Sequence, residues 1–222
     1  MKLWLASTDP TLIARHFELG LFEGVLTNPT MLAAARRPPL EVIRDLCAAV
    51  PGPVFYQLND ATPEDMKRQA DGLLARGWTN LGVKVALTRD GCAVLHWLRS
   101  QKVALRLATA VPTTIQLLLA TALDVPWVTP SGSTLEKLGG PSKLALLTEM
   151  QSALDRQRTA TVLIPSLASP AEMKAFALAG LRAGFVWDRD VDRFVESEPV
   201  RQIVAGFNKS WSQLEEAGAG NY

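Results

Sequence analysis

Cysteine and histidine are scarce in this chain. It has two of each in 222 residues: Cys47, Cys92, His16 and His96. Both cysteines fall in segments that read as helices. They are expected to be small buried hydrophobes in a reducing cytoplasm rather than a disulfide. Neither histidine has a partner at ligand spacing, so a histidine metal site lacks its usual material. An excess of one charge is also missing. Lys plus Arg total 23 against 22 for Asp plus Glu, a formal charge of +1, which leaves no electrostatic footprint for nucleic acid. No apolar run approaches a membrane span, and the first residues lack the basic run and cleavage site of a secretion signal. A cytoplasmic protein without membrane or nucleic-acid partners is expected. The turn after the first apolar segment, Ala6-Ser7-Thr8-Asp9, is not a phosphate-binding glycine loop, which argues against an open dinucleotide-binding sheet.

What the chain does have is regular alternation. Short apolar runs with strand character recur at Lys2–Ser7, Gly24–Asn28, Pro53–Asn59, Thr79–Thr88, Val103–Val111, Val125–Ser131, Thr161–Leu167 and Gly184–Trp187. Helical periodicity separates them, with start signals such as Asp9-Pro10, Thr62-Pro63-Glu64-Asp65 and the capping box Ser169-Pro170-Ala171-Glu172. Ser131-Gly132-Ser133 reads as a turn. Eight strands each followed by helix predict one α/β domain over 1–222, a closed (β/α)8 TIM barrel. A helix over about 200–216 is more than such a barrel needs. Its Phe207, Trp211 and Leu214 form an apolar stripe that must be covered, by its own barrel or by a neighbouring subunit.

In a parallel barrel, chemistry sits at the C-terminal ends of the strands. The polar residues there are Ser7, Thr27, Asn28, Gln57, Asn59, Lys84, Thr109, Thr129, Ser131, Ser166 and Asp188, and Lys84 is the single lysine among them. Its strand sends Leu81, Val83, Val85 and Leu87 to one face and Gly82, Lys84, Ala86 and Thr88 to the other. The second face is small except for the lysine, as if room had been left around its ammonium. A desolvated lysine lowers its pKa, and a neutral amine in a pocket is the nucleophile that forms a Schiff base with a carbonyl compound. The competing reading of the same alternation is a lysine snorkelling from a strand edge to water.

These residues also carry a family likeness over almost the whole chain. Met1-Lys-Leu-Trp-Leu before Asp9, Gly24-Val-Leu-Thr-Asn-Pro29, Gln57, Val83-Lys84-Val85 with Thr88 and Gly91, Ala108-Thr109-Ala110-Val111 and Ser166 resemble the small transaldolases, the fructose-6-phosphate aldolase subgroup above all. The resemblance implies an eight-stranded barrel and a class I lyase or transferase of carbohydrate metabolism. Lys84 then forms an imine with a ketose or dihydroxyacetone, with no metal or other cofactor. Asn28 and Ser166 are expected to hold donor hydroxyls, with Thr27, Asn59 and Ser131 also at the substrate. Gln57 and Thr109 are expected to position a water that shuttles protons. The resemblance further implies a homopentamer or homodecamer with the last helix packed on a neighbour.

Three positions depart from the family pattern. Ala6 stands for an aspartate, Ser131 for the tyrosine that serves as acid–base group, and Thr134 for an arginine that grips the substrate phosphate. A serine hydroxyl is a poor general acid or base near neutrality, and losing the guanidinium weakens a phosphate grip unless Arg189 or Lys137 compensates. Asp60 and Asp188 are the candidates to replace the lost acid. The leading expectation is an imine-forming aldolase acting on small hydroxy-carbonyl compounds. The alternatives are a true transaldolase, another imine-dependent reaction such as dehydration, isomerisation or addition, and an inactive barrel with a binding or assembly role.

Overall fold

The computed structural model describes residues 1–59 and 61–216. Among them, strands and helices alternate as β1 (Lys2–Ala6), α1 (Pro10–Phe17), β2 (Phe22–Leu26), α2 (Pro29–Ala34), α3 (Pro39–Ala49), β3 (Val54–Gln57), α4 (Pro63–Leu74), β4 (Leu81–Ala86), α5 (Arg89–Ser100), β5 (Arg106–Val111), α6 (Thr114–Ala122), β6 (Trp127–Pro130), α7 (Gly132–Lys137), α8 (Lys143–Gln157), β7 (Val162–Leu163), α9 (Pro170–Leu178) and β8 (Ala183–Trp187). The strands form one parallel sheet in the order β7-β6-β5-β4-β3-β2-β1-β8. Its two ends meet where Ser166 bridges Phe185, with the Leu167 amide donating to the Phe185 carbonyl and the Phe185 amide to that of Pro165, each at 2.8 Å. The fold is the expected (β/α)8 TIM barrel.

Several boundaries differ from expectation for local reasons. The seventh strand is two residues long rather than seven, because Pro165 has no N–H to give a ladder and pairing resumes only at Ser166. Ser131-Gly132-Ser133 is not a free turn; it opens the short helix α7. An extra helix, α2, begins directly after Asn28, whose Oδ1 accepts from the Met31 amide at 2.9 Å while Pro29 fills the first helical position.

The barrel interior explains the small residues of β2 and β4. Trp4, Phe55 and Trp127 meet inside it with ring centroids 5.5 to 6.0 Å apart. They pack in one core with Leu26, Leu107, Ile164 and Ala183. A Cβ at Gly82 would stand 2.4 Å from the Phe55 ring, and one at Gly24 would stand 2.6 Å from Trp4. The space at Gly82 therefore belongs to an aromatic floor and not to the lysine. Outward, Leu81, Val83 and Val85 are buried where α5 packs on β4. The apolar floor confines polar chemistry to the C-terminal end of the barrel.

The chain divides into two compact units, the barrel Met1–Asp188 and a second unit that starts at Arg189. The second contains α10 (Val191–Val195) and α11 (Glu198–Glu216). No residue of α11 is buried, and Val200, Ile203, Val204, Phe207, Trp211 and Leu214 are exposed at helical spacing. Among the described residues no helix is long and apolar enough to cross a membrane.

Candidate active site

Strand alternation turns Lys84 into the barrel just above the aromatic floor. It is only 7% exposed, and Nζ donates to the Thr27 carbonyl at 3.2 Å. That carbonyl is itself fixed, because the amide and Oγ1 of Thr27 both donate to the Phe55 carbonyl, at 3.2 and 2.7 Å. The snorkelling alternative is therefore set aside: the amine is held inside. Burial strips the ammonium of water and lowers its pKa from 10.5 to about 8.

A cavity of about 290 Å³ opens over the lysine. Its polar lining comes from Thr27, Asn28, Thr109, Thr129, Ser131, Ser133, Thr134 and Ser166, and its apolar walls include Ala6, Met31, Phe185 and Trp187. Six of the expected site residues thus converge: Lys84, Thr27, Asn28, Thr109, Ser131 and Ser166. Gln57 is the register partner of Lys84 on β3 but does not line the cavity. Asn59 is exposed, its amide donating to Gln69 Oε1 at 2.9 Å, and it does not line the cavity either.

Each wall has a local cause. At Asn28 the capping of α2 uses Oδ1, and the cap leaves the amide NH2 uncommitted. At Thr109 the ladder between β5 and β6 slips, and Ala110 adopts a left-handed φ of 57°. Such a bulge is a common way to re-aim a side chain beside a site. At Ser166 the carbonyl accepts from Lys143 Nζ at 2.7 Å. This second buried lysine is paired with Glu172 at 2.8 Å and lies over the Phe176 ring at 5.2 Å. Thr88 and Gly91 are structural: Thr88 Oγ1 caps α5 by accepting from the Gly91 amide at 3.0 Å, and a Cβ at Gly91 would stand 1.9 Å from the Ala86 carbonyl oxygen.

Sequence reasoning placed Thr129 at a strand end without a role, and it missed Phe185 and Trp187. Period-2 alternation from Ala183 along β8 is the signal that points both inward. Of the candidate acids, Asp188 is elsewhere. Asp188 accepts from Ser7 Oγ at 2.5 Å, and neither residue lines the cavity. Asp60 lies outside the described residues. Lys137 is exposed and does not border the cavity, while Arg189 belongs to the second unit, 4.0 Å from Asp190. Among the described residues lining the cavity, Lys84 is the one ionisable side chain. Among the described residues, no three His, Cys, Asp or Glu side chains are placed to hold a metal ion.

A probable transaldolase of Caulobacter vibrioides is 31% identical to this chain over 181 residues, 81% of this chain and 82% of the relative. The chain belongs to the transaldolase family. The likeness to other family members runs nearly end to end: a probable transaldolase 2 of Listeria monocytogenes is 26% identical over 97% of this chain and 98% of its own length, and a probable transaldolase of Chelativorans is 29% identical over 96% and 97%. No protein-family model matches the chain. Among solved structures, inosine 5′-monophosphate dehydrogenase of Legionella pneumophila superposes with a TM-score of 0.60 at 14% identity, over 84% of this chain and 58% of that one; this likeness concerns the barrel fold alone. Ala6, Ser131 and Thr134, where the resemblance leads one to expect an aspartate, a tyrosine and an arginine, all border the cavity.

Proposed function

We propose that this aldolase- or transaldolase-type barrel is a class I enzyme that forms an imine between Lys84 and a small hydroxy-ketone or ketose and makes or breaks a carbon–carbon bond beside it. The observation that carries the reading is the buried Lys84 amine with its pKa lowered to about 8, at the base of a polar cavity. At pH 7 a pKa of 8 leaves roughly a tenth of the amine neutral, against about 0.03% for an ordinary lysine. That is on the order of a 300-fold gain in nucleophile.

The chemistry follows from the amine. Neutral Nζ adds to the substrate carbonyl, and loss of water gives a protonated imine. That cation draws electrons from the bond beyond the adjacent carbon. As the hydroxyl on the far carbon gives up its proton, the bond breaks, an aldehyde departs and an enamine remains on Lys84. Protonation of the enamine carbon and hydrolysis return the free amine. The proton carrier is the demanding part, because the lining offers hydroxyls and one amide but no carboxylate, imidazole or phenol among the described residues. We assign it to a water held by Thr109 and its hydroxyl neighbours, a weaker acid–base system than a phenol. The exposed apolar stripe of α11 supports a homo-oligomer in which that helix packs on a neighbouring subunit.

The test is intact-mass spectrometry after borohydride reduction with dihydroxyacetone, fructose 6-phosphate and a panel of small ketones, on the wild type and on Lys84→Ala. A mass gain confined to the wild type is expected. Labelling that persists in Lys84→Ala, or an unlabelled wild type, overturns the reading.

A further inference from the structure

Away from the lysine cavity, a second pocket of about 230 Å³ opens on the outside of the barrel, where α3 and α4 flank β3. It shares no residue with the first. Its back is Tyr56. Phe55 is buried in the barrel core, so strand alternation turns Tyr56 outward. The residue is half-buried, and its hydroxyl has no hydrogen-bond partner among the described residues. Leu40 of α3 and Leu73 of α4 add apolar walls.

The rim is cationic. Arg68, Gly72 and Arg76 follow at four-residue spacing and so share one side of α4 and its C-terminal end. Arg68 is paired with Asp65, whereas Arg76 has no partner among the described residues. Gly72 leaves a gap between the two: a Cβ there would meet nothing within 4 Å. Glycine inside a helix is less stable than alanine, and packing gives no reason for it here. Gln69 Oε1 accepts from the Asn59 amide, which leaves the Gln69 NH2 as a further donor. Among the described residues no carboxylate lines the pocket. A cation at a helix end also answers the helix dipole; that accounts for Arg76 but for neither the glycine nor the unpaired phenol.

We propose that this pocket binds a small organic anion with an apolar body. Arg76 takes the carboxylate or phosphate, with the Tyr56 hydroxyl and the Gln69 amide donating to it. The apolar part lies over Gly72, between Leu40 and Leu73. The site is separate from Lys84 and does not depend on the imine.

The test is isothermal titration calorimetry of the full chain with benzoate, phenyl phosphate and inorganic phosphate. Saturable binding of benzoate or phenyl phosphate is expected on the wild type and equally on Lys84→Ala. Arg76→Gln is expected to weaken it about tenfold, the effect of a lost charged hydrogen bond, and Tyr56→Phe to weaken it less. Gly72→Leu should abolish binding by filling the gap, with the fold and oligomeric state unchanged by circular dichroism and sedimentation. No binding of either aromatic anion, or binding that survives Arg76→Gln but not Lys84→Ala, overturns the proposal. Inorganic phosphate bound as tightly as phenyl phosphate also overturns it, because the apolar walls then do nothing. A change of oligomeric state in Gly72→Leu overturns it too, by giving the pocket to a second copy of the chain.

Discussion

Lys84 Nζ and the carbonyl oxygen of Thr27 stand 3.2 Å apart at a buried corner where β2, β3 and β4 meet. One carbonyl is a modest compensation for a buried ammonium, and the lowered pKa expresses the difference. The sign follows from linkage. The folded pKa of about 8 lies below the unfolded value of 10.5, so between these pH values the unfolded chain binds more protons and stability rises with pH. Below pH 8 both states are protonated and the full cost, on the order of 3 kcal/mol, is borne by the fold; above 10.5 it is gone. Lys84→Met is therefore expected to unfold at higher urea than the wild type at pH 7. The advantage should shrink across pH 8 to 10.5, as urea titrations at pH 7, 9 and 10.5 would show. Imine formation by the wild type should rise with pH to a plateau above about 8.

Asn28 caps α2 and lines the cavity, and two substitutions separate the cap from the donor role proposed for its amide. Asn28→Ala removes the acceptor for the Met31 amide and is expected to cost about 1 kcal/mol as well as turnover. Asn28→Asp keeps the cap, so stability should stay within a few tenths of a kcal/mol, yet it loses the amide donor. It also brings a carboxylate to the lining beside Lys84, which favours the ammonium. The pH midpoint of trapping should then move above that of the wild type, whereas Asn28→Ala should leave the midpoint in place.

The barrel and the place of Lys84 at its cavity were legible in the sequence because each rests on short-range rules: period-2 runs, capped helices, and one lysine among strand-end polar residues. What was not legible depends on neighbours far along the chain. Gly82 looked like room for the Lys84 ammonium, but only the register of Phe55 against Gly82 reveals the space as a seat for an aromatic ring. Asn59 has the right parity for the site, yet β3 ends at Gln57 and Asn59 is carried outside the cavity. Asp188 was a candidate acid from its place after β8, but β8 closes the barrel against β1, and its pairing with Ser7 at the end of β1 joins residues 181 apart in the sequence. Lys143 gave no signal at all, because a lysine opening a helix normally faces water.

That lysine nevertheless supports the site. Lys143 Nζ joins the Ser166 carbonyl to Glu172, whose other oxygen accepts from the Ala168 amide at 2.6 Å. Removing one member of a buried pair leaves an uncompensated charge, which costs more than the pair contributes. Lys143→Met is expected to destabilise by about 3 kcal/mol, somewhat less where water reaches the partly exposed Glu172. Adding Glu172→Gln removes the stranded charge and keeps an acceptor for Ala168, so the double variant should recover more than half of the lost stability in a denaturation cycle. Its trapping of dihydroxyacetone should stay depressed, because the Ser166 carbonyl has lost its donor and the serine is no longer held against the cavity. Full recovery of both stability and trapping would show that Lys143 serves only to neutralise Glu172.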